Sequence, residues 1–186
     1  RPVRSVAGTA KNGFAVTESG EVLSWGGADS QLARASSLSV DPIPSAIALS
    51  DITSVAGGAS HVCALGRGGA VFCWGGNERG QLGNGGRGSQ QLPGPALLPD
   101  GVQAVAVIAG GDNTCIIAST GELHCWGAND TGQIGISGGE DQLLPRRIDG
   151  LGDPVVGAAI MEDAICALRR TGSIACWGGN AAGELG

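Results

Sequence analysis

The four tryptophans constrain this chain more than any other feature. Trp25, Trp74, Trp126 and Trp177 are separated by 49, 52 and 51 residues, and each opens a Gly-rich motif: SWGGADSQLA, CWGGNERGQLG, CWGANDTGQIG and CWGGNAAGELG. A period of that length marks a repeat architecture, in which no unit buries its own apolar faces without a neighbour. Upstream of each Trp runs a second matching segment: GFAVTESGEVLSW, VCALGRGGAVFCW, TCIIASTGELHCW and ICALRRTGSIACW. Each reads as a hairpin whose glycine (Gly20, Gly69, Gly121 or Gly172) closes a three-residue loop in the left-handed conformation.

Farther upstream, SVAGTA, SVAGGAS and VIAGGDN look like a short strand stopped by glycine, while the fourth copy has GAAIMED instead. Between units, PIPSAIALSDITSV, LPGPALLPDGVQAVAV and LPRRIDGLGDPVVGA add prolines, a variable loop and one more apolar strand. Four short antiparallel strands per unit predict an all-β fold, a β-propeller of four-stranded blades. A helical solenoid fits poorly, because 35 of the 186 residues are glycine and no apolar i, i+3, i+4 pattern is sustained. The expected repeats are 1–46, 47–99, 100–147 and 148–186 within one repeat domain, the last incomplete. Four repeats make a partial ring, an open arc or half of a dimer.

The formal net charge of -6 leaves no overall positive field for a phosphate backbone, so nucleic acid is not an expected partner. No apolar run approaches the roughly 18 residues of a bilayer span, and the opening RPVRSVAG lacks a signal-peptide core. No cofactor motif stands out.

The six cysteines fall as Cys63 and Cys73, Cys115 and Cys125, Cys166 and Cys176, each pair on opposite arms of a hairpin. If Arg67, Gly68 and Gly69 form the loop, Leu65 faces Val71, Ala64 faces Phe72 and Cys63 faces Cys73. A non-hydrogen-bonded antiparallel pair holds its Cα atoms roughly 4.5 Å apart, within reach of a disulfide. The first copy has Phe14 and Ser24 there, so both cysteines are missing together. Three cross-strand disulfides are the expectation, which points to an extracytoplasmic compartment. Buried free thiols are the plain alternative. Zinc is a third, against which stand the ten-residue spacing and the isolation of His61 and His124.

Other features have bland readings beside the sharp ones. Gly135, Ile136, Ser137, Gly138 and Gly139 match the G-x-S-x-G nucleophile pattern but lack its strand-to-helix setting. Gly83, Gly85, Gly86 and Gly88 resemble a phosphate loop without the βαβ unit around it. No catalytic residue is assigned. His61 is read as structural, bonded to neighbouring backbone, and His124 has no obvious carboxylate partner near in sequence. Asn129, Asp130 and Thr131 form a glycosylation sequon, yet Asn77 and Asn180 hold the same place without one, which favours a turn requirement met by the side chain or by left-handed backbone. Asp130, Glu140 and Asp141 are a sparse calcium set. The linkers 34–46, 84–99 and 136–147 vary most, and variable loops on a rigid scaffold carry recognition. Arg34, Arg79, Arg87, Arg146 and Arg147 in them are candidate partner-binding residues, against which stands the reading of solvated loops.

The pattern C-A-L-x-x-x-G-x-V-x-C-W-G-x-N-x-x-G-Q-L-G resembles the repeat of the regulator of chromosome condensation, in a cysteine-containing, bacterial-like variant. The likeness is carried by Trp74, Gly75, Asn77, Gly80, Gln81, Leu82 and Gly83, by Trp126, Asn129 and Gly132, and by Trp177, Asn180 and Gly183. Copy one departs from it, with Ala28, Ser30 and Ala33 replacing Asn and two glycines. The resemblance implies a seven-bladed propeller that acts as a non-enzymatic binding platform for a protein partner. Its second implication is guanine-nucleotide exchange on a small GTPase. Photoreception through spare interface tryptophans is not implied, since all four belong to the W-G motif. A bacterial propeller of similar build inhibits β-lactamases through aromatic-rich loops, but aromatic residues here are few.

Overall fold

The structure is a computed structural model that describes residues 1–27 and 29–186; Ala28, one of the departures in copy one, lies outside the described residues. It contains four antiparallel sheets. The first comprises β1 (Val3–Gly8), β2 (Asn12–Thr17), β3 (Val22–Gly27) and β4 (Val40–Ala46). The second has β5 (Ile52–Gly57), β6 (His61–Gly66), β7 (Val71–Gly75) and β8 (Gln90–Pro95). The third has β9 (Ala104–Gly110), β10 (Asn113–Ala118), β11 (Leu123–Gly127) and β12 (Gln142–Arg147). The fourth has three described strands, β13 (Val155–Ile160), β14 (Ala164–Arg169) and β15 (Ile174–Gly178). Within each sheet spatial order follows chain order. The only helical turn among the described residues is a 3-10 turn at Ser30–Leu32. This is a partial β-propeller of four blades.

Strand composition explains the layering. Every residue of β6 and β10 is buried, because these central strands meet a neighbouring sheet on both faces, so HVCALG and NTCIIA read as apolar runs without alternation. The fourth strands VDPIPSA, QQLPGP and QLLPRR hold prolines, whose missing N–H confines them to sheet edges. Strands β1, β5, β9 and β13 pack against one another in succession and set the inner side of the arc. The second half of each variable linker therefore belongs to an outer strand.

Each apolar cluster is shared by two successive blades. Phe14, Val16 and Val22 of blade 1 meet Ile52, Val62 and Trp74 of blade 2, with Phe14 and Trp74 edge to face at 5.9 Å. Cys63, Cys73 and Leu82 meet Ile116 and Trp126; Cys115, Cys125 and Ile134 meet Ile165 and Trp177. The indole Nε1 of Trp74, Trp126 and Trp177 donates to the main-chain oxygen of Gln31, Gln81 and Gln133, each at 2.8 Å. Blades 2, 3 and 4 are thus each bonded to the motif of the blade before it.

The hairpin glycines carry a double constraint. Gly20, Gly69, Gly121 and Gly172 have φ between 83° and 87°, and the first three pass their carbonyls to the next blade, accepting from Ile52, Ala104 and Val155. A Cβ on Gly69 would stand 2.9 Å from Gln103. At Gly20, Gly69 and Gly121 left-handed backbone and a close neighbour act together, while Gly172 carries the backbone constraint alone. At the other glycine of interest, Gly83 (φ 66°) sits under the indole of Trp126, whereas copy one places Ala33 at φ 57°.

The three disulfides are Cys63–Cys73, Cys115–Cys125 and Cys166–Cys176, with Cα atoms 4.1 Å apart and no cysteine left free. The register that pairs them is the one read from the hairpin loop.

Candidate functional site

Chain reversal puts the longest connections, those between the third and fourth strands, at one end of the arc. The loops β1–β2 and β3–β4 and their equivalents emerge there; the tight hairpin turns and the crossovers to the next blade emerge at the other. The loop-bearing end is the candidate site.

Its loops are held from within. Asn77 Oδ1 accepts from Leu82 N at 3.0 Å while Nδ2 donates to Gly86 O at 2.9 Å. Asn129 Oδ1 accepts from Ile134 N, and Asn180 Oδ1 from Leu185 N. None of these asparagines is among the residues with positive φ, so the side chain meets the turn requirement. Asn129 is fully buried, which removes it from reach as a glycan acceptor.

A buried relay joins blades 2 and 3. Thr114 Oγ1 donates to Gln81 O at 2.9 Å, so its one proton is committed and His61 Nε2, 2.7 Å away, must be the donor to it. That leaves His61 Nδ1 as an unprotonated, unpartnered nitrogen and the ring neutral. Burial pushes the His61 pKa down to about 4. The partner of His61 is therefore a side chain of the next blade, where sequence reasoning expected neighbouring backbone. Gln81 was missed as an anchor: its Oε1 accepts from Arg79 N, its Nε2 faces Ser60 and Asp112, and its carbonyl takes Trp126 and Thr114. The available signal was glutamine at the same place in three copies. Burial raises the Asp112 carboxyl above the usual range.

The five candidate arginines do not converge. Arg34 is locked in its own blade, 2.6 Å from Asp41 and bonded to Ser24 O and Ile43 O. Arg79 crosses to the next blade, gripping Asp141 through Nε and Nη2 at 2.9 and 2.7 Å and also meeting Asp130; Arg87 meets the same Asp141 at 2.6 Å. These cations hold the Asp41 and Asp141 carboxyls below the usual range, chiefly through the Arg34 and Arg79 hydrogen bonds. Arg79 and Arg87 border a shallow depression with Glu140 and Leu143. Arg146 and Arg147 stand at the opposite end, both exposed. There Arg147 pairs with Glu122 at 2.9 Å, and Glu122 Oε2 lies 3.8 Å from His124 Nε2. The carboxylate neighbour that the sequence did not suggest for His124 is thus two residues away, brought alongside because alternate strand residues share a face.

Two of the three calcium candidates are spent on ion pairs, Asp130 and Asp141 with Arg79, and Glu140 faces solvent. Ser137 and its glycines lie in the β11–β12 loop with no helix following, and Gly83–Gly88 form the corresponding loop of blade 2. Among the described residues no group of three or more His, Cys, Asp or Glu is placed to hold a metal.

Arc, blade and motif together define a propeller of repeated W-G units, and comparison with known proteins places it. The family model described as regulator of chromosome condensation (RCC1) repeat matches residues 19–65, 68–117 and 120–167, and a second model of that description matches 52–81 and 102–133. The chain belongs to this family. Each matched unit in the first set starts at one blade's hairpin turn and runs into the next blade's second strand, so the sequence repeat straddles two sheets. The human E3 ubiquitin-protein ligase HERC2 is 33% identical over 113 residues, 59% of this chain and 2% of the ligase. The ultraviolet-B receptor UVR8 of Arabidopsis thaliana is 34% identical over 111 residues, 58% of this chain and 24% of the receptor. Among solved structures, human WBSCR16 superposes with a TM-score of 0.84 at 23% identity, covering 95% of this chain and 47% of that one. Yeast RCC1 gives 0.83 at 23%, covering 94% and 43%. The chain spans less than half the length of these proteins.

Proposed function

We propose that the chain is a non-enzymatic protein-binding platform whose loop-bearing end docks a lysine- and arginine-rich segment of a partner protein. The observation that carries this reading is the division of charge between the two ends. The loop-bearing end holds ten carboxylates (Asp29, Asp41, Glu78, Asp112, Asp130, Glu140, Asp141, Glu162, Asp163 and Glu184) against four cations (Lys11, Arg34, Arg79 and Arg87). The opposite end holds seven of each, so the net charge of -6 falls wholly on the loops. Three of the four cations are engaged with Asp41, Asp130 and Asp141, while Glu78, Glu140, Glu162 and Asp163 face solvent. A face of one sign speeds encounter with a partner of the other and repels the rest. In this reading Arg79 and Arg87 are struts that space the carboxylates.

The test is anisotropy of a fluorescent Lys/Gly peptide at low and physiological salt. Binding that weakens with salt, falls about tenfold in a Glu78→Lys, Glu140→Lys variant and survives a Glu18→Lys, Asp100→Lys variant supports the reading. Equal effects from both variants would reject it.

The same proposal places the chain outside the cytoplasm, supported by its three disulfides, and has the repeats 1–46, 47–99, 100–147 and 148–186 act as one domain, with further repeats or a second copy completing the ring. Family membership supports a second reading, nucleotide exchange on a small GTPase; stimulated release of labelled GDP by catalytic amounts of the chain would favour it.

A further inference from the structure

A cavity lies at the opposite end, where the hairpin turn of blade 3 meets the crossover to blade 4. It measures about 200 Å³. One wall is apolar, formed by the half-buried Leu151 and Pro154 with the edge of Ile148, over the core residues Leu123 and Val155. The other wall carries the carboxylates Glu122 and Asp153. The corresponding place in blade 2 is differently built: Ala70, Phe72 and Pro95 occupy the register positions of Glu122, His124 and Arg147, and Leu97, Leu98 and Val102 line it. Blade 3 has therefore placed an ionisable group at each of three positions where blade 2 has none.

The chain already sets a cation against this wall. Arg147 Nη1 lies 2.9 Å from Glu122 Oε1, but its side chain is 60% exposed and its Nε leans toward Asp149 at 3.6 Å. The other oxygen, Glu122 Oε2, accepts from Thr120 Oγ1 at 3.2 Å and faces His124. That ring is 3% exposed, and neither nitrogen has a hydrogen-bond partner. Asp153 accepts only from Thr171 Oγ1, at 3.3 Å, and among the described residues has no cation. A loosely held guanidinium, two carboxylates and an apolar wall ask for a ligand with a cationic head and a methylene body.

We infer that this cavity binds a primary ammonium on an aliphatic stem, as in a lysine side chain or an alkylamine. The stem lies along Leu151, Pro154 and the edge of Ile148, and the head displaces Arg147 from Glu122 and meets Asp153. Arg147 then rests on Asp149. The inference is independent of the loop-end reading, because it uses none of the same residues.

Amide and histidine NMR spectra of the whole chain test it, with n-butylammonium and Nα-acetyl-lysine methylamide as probes and n-pentanol as the uncharged control. The expected result is saturable shifts confined to residues 120–124 and 147–155 with both amines and none with the alcohol. Glu122→Gln and Asp153→Asn each weaken binding about tenfold, while Arg147→Ala strengthens it by removing the competing cation. Tighter binding of the lysine derivative identifies a protein side chain as the source of the ammonium; tighter binding of butylammonium identifies a free amine. Unsaturable shifts, equal response to n-pentanol, or no effect of Glu122→Gln in a variant whose remaining spectrum is unchanged would overturn the assignment.

Discussion

The indole Nε1 of Trp126 donates to the main-chain oxygen of Gln81 at 2.8 Å, and the hydroxyl of Thr114 reaches the same oxygen at 2.9 Å. One carbonyl in blade 2 is therefore satisfied twice by blade 3, under a fully buried ring. Trp126→Ala removes both the packing and the bond and is expected to cost about 3 to 5 kcal/mol. Trp126→Phe keeps the ring and leaves Thr114 on the carbonyl, so about 1 kcal/mol goes with the bond and the loss in ring size adds to it. Trp25, half-buried, loses less on truncation than Trp126 does. Denaturant unfolding of the three variants measures the order.

His61 makes the same junction sensitive to acid. Its pKa is about 6.5 in the unfolded chain and about 4 in the folded one, so between these values the unfolded state binds the proton more readily. Stability falls as pH drops from 6.5 towards 4 and by then has lost about 3 kcal/mol from this group. His61→Asn installs the residue that blades 1 and 3 carry as Asn12 and Asn113, each of which donates to a carbonyl after the W-G pair at 2.7 Å. The variant should fold and show a flatter stability profile over that interval; an unchanged profile in urea titrations would assign the acid response to other groups.

How much of this was legible in the sequence depends on range. Hairpin register was legible because one turn glycine fixes every cross-strand pair, Cys63 opposite Cys73 among them. The tryptophans announced the period. What they bond to was not legible, since Gln31, Gln81 and Gln133 lie 43 to 45 residues away from their indole partners and contribute main-chain atoms, which no side-chain pattern reveals. The ion pairs of the arginines were hidden for a related reason. Arg79 and Asp141 are 62 residues apart, so a cation that looks free in its own loop is neutralised by the next blade's loop.

The disulfides should differ in reactivity. Cys63, Cys73, Cys115 and Cys125 are fully buried between blades, whereas Cys166 and Cys176 are partly exposed. Under mild reductant without denaturant, alkylation followed by peptide mass mapping should label Cys166 and Cys176 first. Replacing Cys63 and Cys73 together by serine should cost about 2 to 3 kcal/mol, the lower part of the range for so short a loop.

Arg34 and Arg146 separate a strut from a surface residue. Arg34→Ala leaves Asp41 without its partner and breaks two bonds to backbone, so it is expected to lower the stability clearly. Arg146→Ala, exposed and paired with nothing among the described residues, should stay within about 0.5 kcal/mol of the parent. Thermal unfolding at one pH compares them.

The tryptophan bonds of blades 2, 3 and 4 to the motif before them turn four marginal sheets into one rigid support for the loops. Exchange of the four indole N–H protons with deuterium, followed by NMR on the native chain, measures it directly. The indoles of Trp74, Trp126 and Trp177 should exchange slowly, with Trp126 among the slowest, while Trp25 exchanges fast. Four indoles exchanging at one common fast rate would mean that the blades are not joined in this way, and the rigid arc and its charged loop face would fall with them.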